Sequence, residues 1–113
     1  MDRGDIWWAS LEEPSGSSPG YRRPILIIQA DSFNKSKINT IIGIVITSNL
    51  RLADAPGNIF LSSKESGLPK DSVINISQII TIDKQFLTEF VKKIKPSVLN
   101  DVENSLKLVL DLD

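Results

Sequence analysis

An arginine beside a proline, and a hydroxyl group one strand later, are the residues of this chain best suited to chemistry. Arg23 stands immediately before Pro24 and the apolar run 25–28, which Gln29 ends. A second apolar run, 41–46, ends at Thr47. Proline restricts the residue before it to extended geometry, so Arg23 is held at the start of the first strand. If the two strands pair antiparallel, a guanidinium lies beside a hydroxyl, which suits a small site for a phosphodiester.

Each of these residues also has an ordinary structural interpretation. Arg23 fits an exposed arginine at the mouth of a strand, paired with Asp5 or Asp31. Thr47 fits a β-favouring residue whose hydroxyl caps the turn that follows. Asn49 follows Thr47 and Ser48 in the polar segment after the second apolar run, and it is a further candidate for substrate binding.

Four other features invite a functional or a structural interpretation. Gln78 lies in an apolar stretch, where its amide either reads a base edge or is buried against neighbouring backbone. Trp8 either stacks on a base or belongs to the core. The segment 15–20 is either a lid over bound substrate or a surface loop without a role. Glu12 and Glu13 are adjacent, but neighbours in an extended segment diverge, which argues against a magnesium site.

Composition excludes several kinds of chemistry. The 113 residues predict one domain, 1–113, and include neither cysteine nor histidine. A thiolate nucleophile, a zinc–thiolate site and the usual imidazole base are therefore impossible. The net charge of −1 and the pI of about 5.4 argue against indiscriminate duplex binding, which normally needs a basic surface. They leave room for a short basic groove.

Targeting signals are lacking in the sequence. No apolar run approaches the ~20 residues that cross a bilayer. The opening residues 1–5 are polar, without the apolar stretch of a signal peptide. We therefore expect a cytoplasmic protein that does not enter a membrane.

Short apolar strands dominate the first two thirds of the chain. Pattern and turn residues predict strands over 6–11, 24–29, 40–46, 58–61 and 72–82. They predict one helical turn within 31–37, with Asp31 or Ser32 as N-cap, a loop over 48–57 and a turn over 64–70. The unbroken apolar run 25–28 indicates burial on both faces of its strand.

The last third of the chain predicts one helix and leaves one segment open. Segment 83–94 fits either a helix or a tight turn followed by an edge strand, 88–94. From Pro96 onward, apolar residues recur at helical spacing and Pro96 suits a first turn. These elements predict a small, strongly bent sheet or barrel with a helix appended.

Several motifs lie in a recognisable order along nearly the whole chain. Together they resemble the MazF/PemK family of toxin endoribonucleases, the toxin half of type II toxin–antitoxin systems. The motifs are Arg3-Gly4-Asp5-Ile6-Trp7, Gly16-Ser17, the run 22–29, Val45-Ile46-Thr47-Ser48, the run 71–79, Thr81-Ile82-Asp83-Lys84 and the terminal helix.

The resemblance implies a fold, an activity and partners. The fold is a mainly β, SH3-like barrel of about five to seven strands with a C-terminal α-helix, acting as a homodimer. The activity is cleavage of single-stranded mRNA at short motifs, without a metal or cofactor. The ribose 2′-hydroxyl attacks the adjacent phosphate and leaves a 2′,3′-cyclic phosphate and a 5′-hydroxyl end. A cognate antitoxin inhibits the enzyme.

The resemblance also implies roles for particular residues. Arg23 and Thr47 correspond to the family's catalytic pair, and Ser17 and Gln78 to substrate contacts. The edge-strand interpretation of 88–94 is favoured over the helix. Two positions depart from the family: Ser18 stands where many members have glutamate, and Ile80 where a basic residue is common. These departures bear on the cleavage motif rather than on the catalytic pair.

Two other classes of function remain as alternatives. A non-nucleolytic toxin of the same fold would act on a topoisomerase by protein–protein contact. An inactive module would keep the antitoxin-binding surface and lack cleavage. The pair of Arg23 and Thr47 argues against the topoisomerase-directed toxin, which does not need it, whereas Ser18 in place of the loop glutamate leaves the inactive module open.

Overall fold

One curled antiparallel sheet, a half-barrel, forms the frame of the protein. The computed structural model describes residues 1–11 and 21–113, and in that part of the chain the strand order is β4-β5-β3-β2-β1-β6. The strands are β1 Asp5–Leu11, β2 Tyr21–Ile27, β3 Thr40–Thr47, β4 Ile59–Leu61, β5 Ser72–Asp83 and β6 Leu87–Lys93. The helices are α1 Asp31–Asn34, α2 Ser63–Ser66 and α3 Pro96–Leu110, with 3₁₀ turns at Leu50–Asp54 and Lys84–Phe86.

The predicted fold class is confirmed, and so are most of its elements. Segment 83–94 is a 3₁₀ turn followed by the edge strand β6, as the family resemblance favoured. The helix that begins at Pro96 runs to Leu110 and buries Val102 completely. No helix in the described ranges is long and apolar enough to span a bilayer.

The predicted cap of α1 is wrong. Its N-cap is Ala30, which makes no side-chain cap hydrogen bond, rather than Asp31 or Ser32. The carboxylate of Asp31 instead accepts a hydrogen bond from the backbone N–H of Arg3 at 2.8 Å. This bond, together with the Asn34 side chain, holds the pKa of Asp31 below its usual range. The resulting stabilisation is present above the ordinary carboxyl pKa and is lost as the pH falls through the lowered value.

The turn predicted over 64–70 contains a short helix, α2. The Ser62 hydroxyl accepts from the backbone N–H of Glu65 at 3.1 Å. The Glu65 carboxylate in turn accepts from the backbone N–H of Ser62 at 3.4 Å, so the pair forms a capping box. Gly67 ends the helix at φ +76°, a conformation that favours glycine.

Burial on both faces of β2 is confirmed, and it divides the core into two clusters. Leu26 packs with Ile44 and Ile46 in the main cluster, which α3 covers through Val102. Ile25 packs on the opposite face of the sheet in a smaller cluster. That smaller cluster comprises Ala9, Ile25 and Val45, with Leu11, Ile80, Ile82 and Leu87 packed around them.

The two ends of the sheet approach each other through α2. The Nζ of Lys92 on β6 donates to the carbonyl of Lys64 in α2 at 3.0 Å. Gly67 sits against Val91 and Lys92, where a Cβ atom would lie 3.2 Å from Val91 Cγ1. We call this contact between α2 and β6 the seam, and it closes the half-barrel. A side chain at position 67 would therefore hold α2 and β6 apart.

Arg3 ties the N-terminus to the terminal helix. Its Nε donates to the carbonyl of Ile28 at 2.9 Å, and its NH1 pairs with Glu103 of α3 at 2.6 Å. The side chain therefore spans from the residue that follows β2 to α3.

Replacing Ile44 with alanine should lower the free energy of unfolding by about 2–5 kcal/mol, because Ile44 is fully buried and a cavity remains. Ile42 provides a matched control on the same strand and face, since it is 37% exposed. Ile42→Ala should lower the free energy of unfolding clearly less than Ile44→Ala does. Urea denaturation followed by circular dichroism measures both, and equal losses would contradict this placement of the core.

Candidate active site

The register between β2 and β3 brings the two candidate catalytic residues together. Ile25 pairs with Val45 and Leu26 with Ile44, antiparallel. Continuing this register by two residues places Arg23 opposite Thr47. Both side chains line one small cleft of about 100 Å³. The expectation that the end of one strand lies beside the start of the other therefore matches the geometry.

The small cleft is lined by both polar and apolar side chains. Its polar side chains belong to Arg23, Thr47, Asn75 and Gln78. Its apolar lining comes from Leu11, Val45 and Leu52. A guanidinium, a hydroxyl and two amides can together hold a phosphodiester and the polar edge of a base.

A larger cleft of about 250 Å³ adjoins the same arginine. Successive side chains on a strand leave opposite faces, so Arg22 and Arg23 point to different sides of the sheet. Arg23 nevertheless lines both clefts. The larger cleft is lined by Trp8, Arg22, Arg23, Pro24, Ile46, Ser48, Leu68, Pro69, Lys70 and Ser72.

The carboxylates proposed as partners in the ordinary interpretation of Arg23 are engaged by other groups. Asp5 is buried, and Lys93 Nζ lies 3.0 Å from its Oδ1. Asp31 accepts from the backbone of Arg3, as described above.

Thr47 keeps its structural role and retains a proton to donate. Its Oγ1 accepts from the backbone N–H of Asn49 at 3.1 Å. The hydroxyl hydrogen can therefore point into the cleft. The side chain of Asn49 is turned toward the 3₁₀ turn, where its Oδ1 accepts from the backbone N–H of Arg51 at 3.2 Å. Asn49 is not among the described residues that line either cleft.

A wide bulge in β5 places Asn75 and Gln78 at the cleft. Ile44 pairs with Ile79 and Ile46 with Ile74, so the four residues 75–78 face a single residue of β3. The extra length bends the strand and redirects its side chains.

Asn58, which precedes β4, stabilises this bulge through hydrogen bonds to residues within it. Its Oδ1 accepts from the backbone N–H of Ile76 at 2.9 Å, and its Nδ2 donates to the carbonyl of Leu52 at 2.9 Å. The same Nδ2 donates to Asn75 Oδ1 at 3.1 Å. Asn75 Nδ2 then donates to Gln78 Oε1 at 3.2 Å. Gln78 is exposed, so its interpretation as a buried amide held by backbone is wrong.

Asn58 and Asn75 are site residues that the sequence analysis missed. A signal was present, since Asn75 interrupts the apolar run 73–76 one residue before Ile76 and three before Gln78. Polar residues inside an apolar strand indicate a bulge or a cleft-facing position. The partner of Asn75 lies 17 residues away, so local pattern could not identify it.

Arg22 is held in place above Trp8. Its guanidinium carbon lies 4.8 Å from the ring centroid of this half-buried tryptophan. Its NH2 lies 3.5 Å from a carboxylate oxygen of Glu89 and 3.4 Å from the hydroxyl of Thr88. These contacts leave the planar cation facing the larger cleft.

Metal-ligating side chains do not gather in the part of the chain that the structure describes. Residues 1–11 and 21–113 contain no group of three or more histidine, cysteine, aspartate or glutamate side chains that could hold an ion. Ser17, Ser18, Glu12 and Glu13 lie outside the described residues, as does the segment 15–20 considered as a lid.

Comparison with known proteins identifies the family. The sequence profile of the PemK-like, MazF-like toxin of type II toxin–antitoxin system matches residues 2–110. The chain belongs to this family. Over 112 residues it is 46% identical to the endoribonuclease MazF6 of Mycobacterium tuberculosis, covering 99% of this chain and 98% of the relative. The endoribonuclease EndoA of Bacillus subtilis is 36% identical over 112 residues, covering 99% of this chain and 96% of that relative.

Solved structures of toxins from this family share the fold. A MazE–MazF structure from Deinococcus radiodurans has a TM-score of 0.83 at 20% identity, covering 100% of this chain and 97% of that one. The toxin MazF-mt6 of Mycobacterium tuberculosis has a TM-score of 0.80 at 19% identity, covering 96% and 98%. The family recognised from the motifs and the mainly β fold with a C-terminal helix are both confirmed.

Asn58→Ala should lower the free energy of unfolding by about 1–3 kcal/mol, because the buried N–H of Ile76 loses its partner. Asn104 on the outer face of α3 supplies the control, since it is exposed. Asn104→Ala should change stability by less than about 0.5 kcal/mol. Chemical denaturation compares the stabilities of the two variants. An Asn58→Ala variant as stable as the wild type would show that the bulge does not need this side chain.

Proposed function

We propose that this chain is a toxin endoribonuclease that cleaves single-stranded mRNA at short sequence motifs. The observation that carries the proposal is the meeting of Arg23 and Thr47 at one cleft, on a chain 46% identical to a named endoribonuclease over its whole length. The substrate supplies the nucleophile, so the lack of histidine and cysteine is no obstacle.

The reaction we propose is an internal transfer at phosphorus. The 2′-oxygen of the ribose forms a bond to the adjacent phosphorus as its hydroxyl proton leaves. The bond from phosphorus to the 5′-oxygen of the next nucleotide breaks, and that oxygen gains a proton. The products are a 2′,3′-cyclic phosphate and a 5′-hydroxyl end, with no net consumption of protons.

Arg23 and Thr47 divide the work of stabilising this transition state. The guanidinium of Arg23 donates to the phosphoryl oxygens, where negative charge accumulates. The hydroxyl of Thr47 donates to the phosphate or orients the 2′-hydroxyl. The backbone N–H of Asn49 holds the Thr47 oxygen, so Asn49 contributes to the site through that bond.

Substrate contacts complete the small cleft. Gln78 lies on its rim with an exposed amide and is proposed to contact a base. Ser17 is proposed as a second contact on the strength of its match to the family's loop serine. Ser18 replaces the glutamate that many members carry there, which alters the motif that is recognised rather than the catalytic pair.

The larger cleft is proposed to hold nucleotides that flank the cut. Arg22 presents the outer face of its guanidinium above Trp8, and an arginine plane can stack on an unpaired base. Lys70 adds a third cation, after Arg22 and Arg23, that can approach the RNA backbone. This local charge gives an overall acidic protein a basic groove and favours single strands, whose bases are free to stack.

Two protein partners are proposed. One is a cognate antitoxin, whose acidic, partly disordered tail would occupy the basic groove and block RNA. A solved mycobacterial endoribonuclease of this fold is described in complex with its cognate antitoxin. The other is a second copy of the chain in a homodimer. Exposed leucines support it, since Leu108 and Leu110 at the end of α3 and Leu112 just after it are 69%, 48% and 58% exposed. We propose the cytoplasm, where mRNA is found, as the site of action.

Arg23→Ala should reduce the rate of RNA cleavage by about 10²- to 10³-fold, because a charge-stabilising donor is removed from the transition state. Cleavage of a long single-stranded RNA, with mapping of the cut sites and the end groups, measures the effect.

Arg51→Ala is the matched control, because Arg51 is an exposed arginine whose backbone, and not its side chain, bonds to Asn49. It should cleave at the wild-type rate. Near-wild-type cleavage by folded Arg23→Ala would remove Arg23 from the mechanism. A wild-type protein that is folded, free of antitoxin and unable to cut RNA would favour the topoisomerase-directed or inactive alternatives.

EDTA should leave the cleavage rate unchanged, because a fixed guanidinium and hydroxyl take the place of a metal ion at the phosphate. Cleavage is measured with and without excess EDTA, with purified protein and synthetic RNA. A loss of activity that added magnesium restores would contradict the metal-free mechanism.

A further inference from the structure

The orientation of the Asn58 amide is fixed by the backbone. A backbone N–H only donates and a carbonyl only accepts, so the contacts of Asn58 with Ile76 N and Leu52 O assign its oxygen and nitrogen without ambiguity. Turning this amide over would bring two donors together at Ile76 and two acceptors together at Leu52.

The fixed orientation of the Asn58 amide also determines how the amides of Asn75 and Gln78 are oriented. Asn58 offers Nδ2 to Asn75, so Asn75 must present its oxygen to Asn58 and its Nδ2 to Gln78. Gln78 must then turn Oε1 toward Asn75. Its Nε2 is left on the exposed side, and within the described residues it makes no hydrogen bond. The free end of the chain of amides is thus a donor.

We propose that Asn58, Asn75 and Gln78 form a hydrogen-bond relay that makes the small cleft select a base with an oxygen at pyrimidine C4 or purine C6, uracil or guanine, over one with an amino group there, cytosine or adenine. The proposal rests on the proposed ribonuclease function and extends it to the choice of base. Gln78 contacts the base, while Asn75 and Asn58 are positioning residues that act through it.

The chemistry of the four bases supports this selection. At pyrimidine C4 and purine C6, uracil and guanine carry an oxygen that accepts, whereas cytosine and adenine carry an amino group that donates. Nε2 of Gln78 can donate to the oxygen of uracil or guanine at this position, but it meets another donor in the amino group of cytosine or adenine. A glutamine free to rotate would offer either end, but the relay removes that freedom. One such hydrogen bond is worth roughly 3- to 10-fold in rate between the two kinds of base.

The location of Gln78 ties this selection to cleavage. Gln78 shares a cleft of about 100 Å³ with Arg23 and Thr47. A base held there therefore belongs to a nucleotide next to the scissile phosphate. The relay would act at one motif position adjoining the cut and leave more distant positions unaffected.

The decisive variant is Asn75→Asp, which has nearly the same shape. A carboxylate at position 75 still accepts from Asn58, but it offers an acceptor instead of a donor to Gln78. The Gln78 amide would turn over, place Nε2 against the new carboxylate and point Oε1 into the cleft. The preferred base should change from uracil or guanine toward cytosine or adenine. Gln78→Glu, at an exposed position, should shift the preference in the same direction by direct replacement of the donor.

The measurement is the ratio of kcat/KM for matched synthetic single-stranded RNAs that differ only at each position flanking the mapped cut. A new carboxylate repels the backbone of every substrate alike, so it lowers all rates without changing this ratio. Asn104→Asp adds the same charge on the outer face of α3 and should retain the wild-type ratio. Gln78→Ala should bring the ratio close to one.

The possible outcomes distinguish a failure of the relay from a failure of the proposed ribonuclease function. A wild-type ratio of about 3 to 10 in favour of uracil or guanine at one adjoining position, reduced or inverted in Asn75→Asp and Gln78→Glu, supports the relay. Wild-type cleavage with no such preference, or variants that cut with the wild-type ratio, overturns the relay and leaves the ribonuclease function standing. A wild-type protein that does not cut overturns both.

Discussion

The pairing of β2 with β3 in a single register is the constraint on which the candidate site depends. A slip of one residue would turn every side chain of β2 to the other face and carry Arg23 away from Thr47. Because both faces of β2 are apolar, hydrophobic alternation alone cannot set this register. Gly43 supplies the missing constraint. A Cβ atom there would lie 3.0 Å from the carbonyl oxygen of Leu26 and 3.1 Å from Ile25 Cδ1, so a slipped strand would bring an isoleucine into that space.

The parts of the fold that follow from local pattern were predictable. Apolar β-branched runs identified most of the strands, and the three-to-four-residue spacing after Pro96 identified α3. The meeting of Arg23 with Thr47 was also predictable, since it requires only that two consecutive strands pair antiparallel. The motifs resolved segment 83–94, where helical and strand patterns were equally good.

The parts that depend on distant partners were not predictable. Asp31 has the right type and position for an N-cap, but the backbone of Arg3, 28 residues earlier, engages its carboxylate. The bulge that carries Asn75 exists because Asn58 satisfies it from another segment. The capping box of Ser62 and Glu65 is different, since its spacing is local, but the predicted turn over 64–70 did not include it.

Closure of the half-barrel by a helical turn has a consequence for its dynamics. Within the described residues, α2 and β6 are joined by one lysine ammonium and by packing on Gly67, whereas the central strands are joined by backbone ladders of several residue pairs. Local opening costs least where few backbone hydrogen bonds must break. Transient separation would therefore begin at the seam, with the exchange of amide hydrogens fastest there. The proposed catalytic pair, carried by β2 and β3 in the middle of the sheet, would keep its geometry while the edge of the molecule opens.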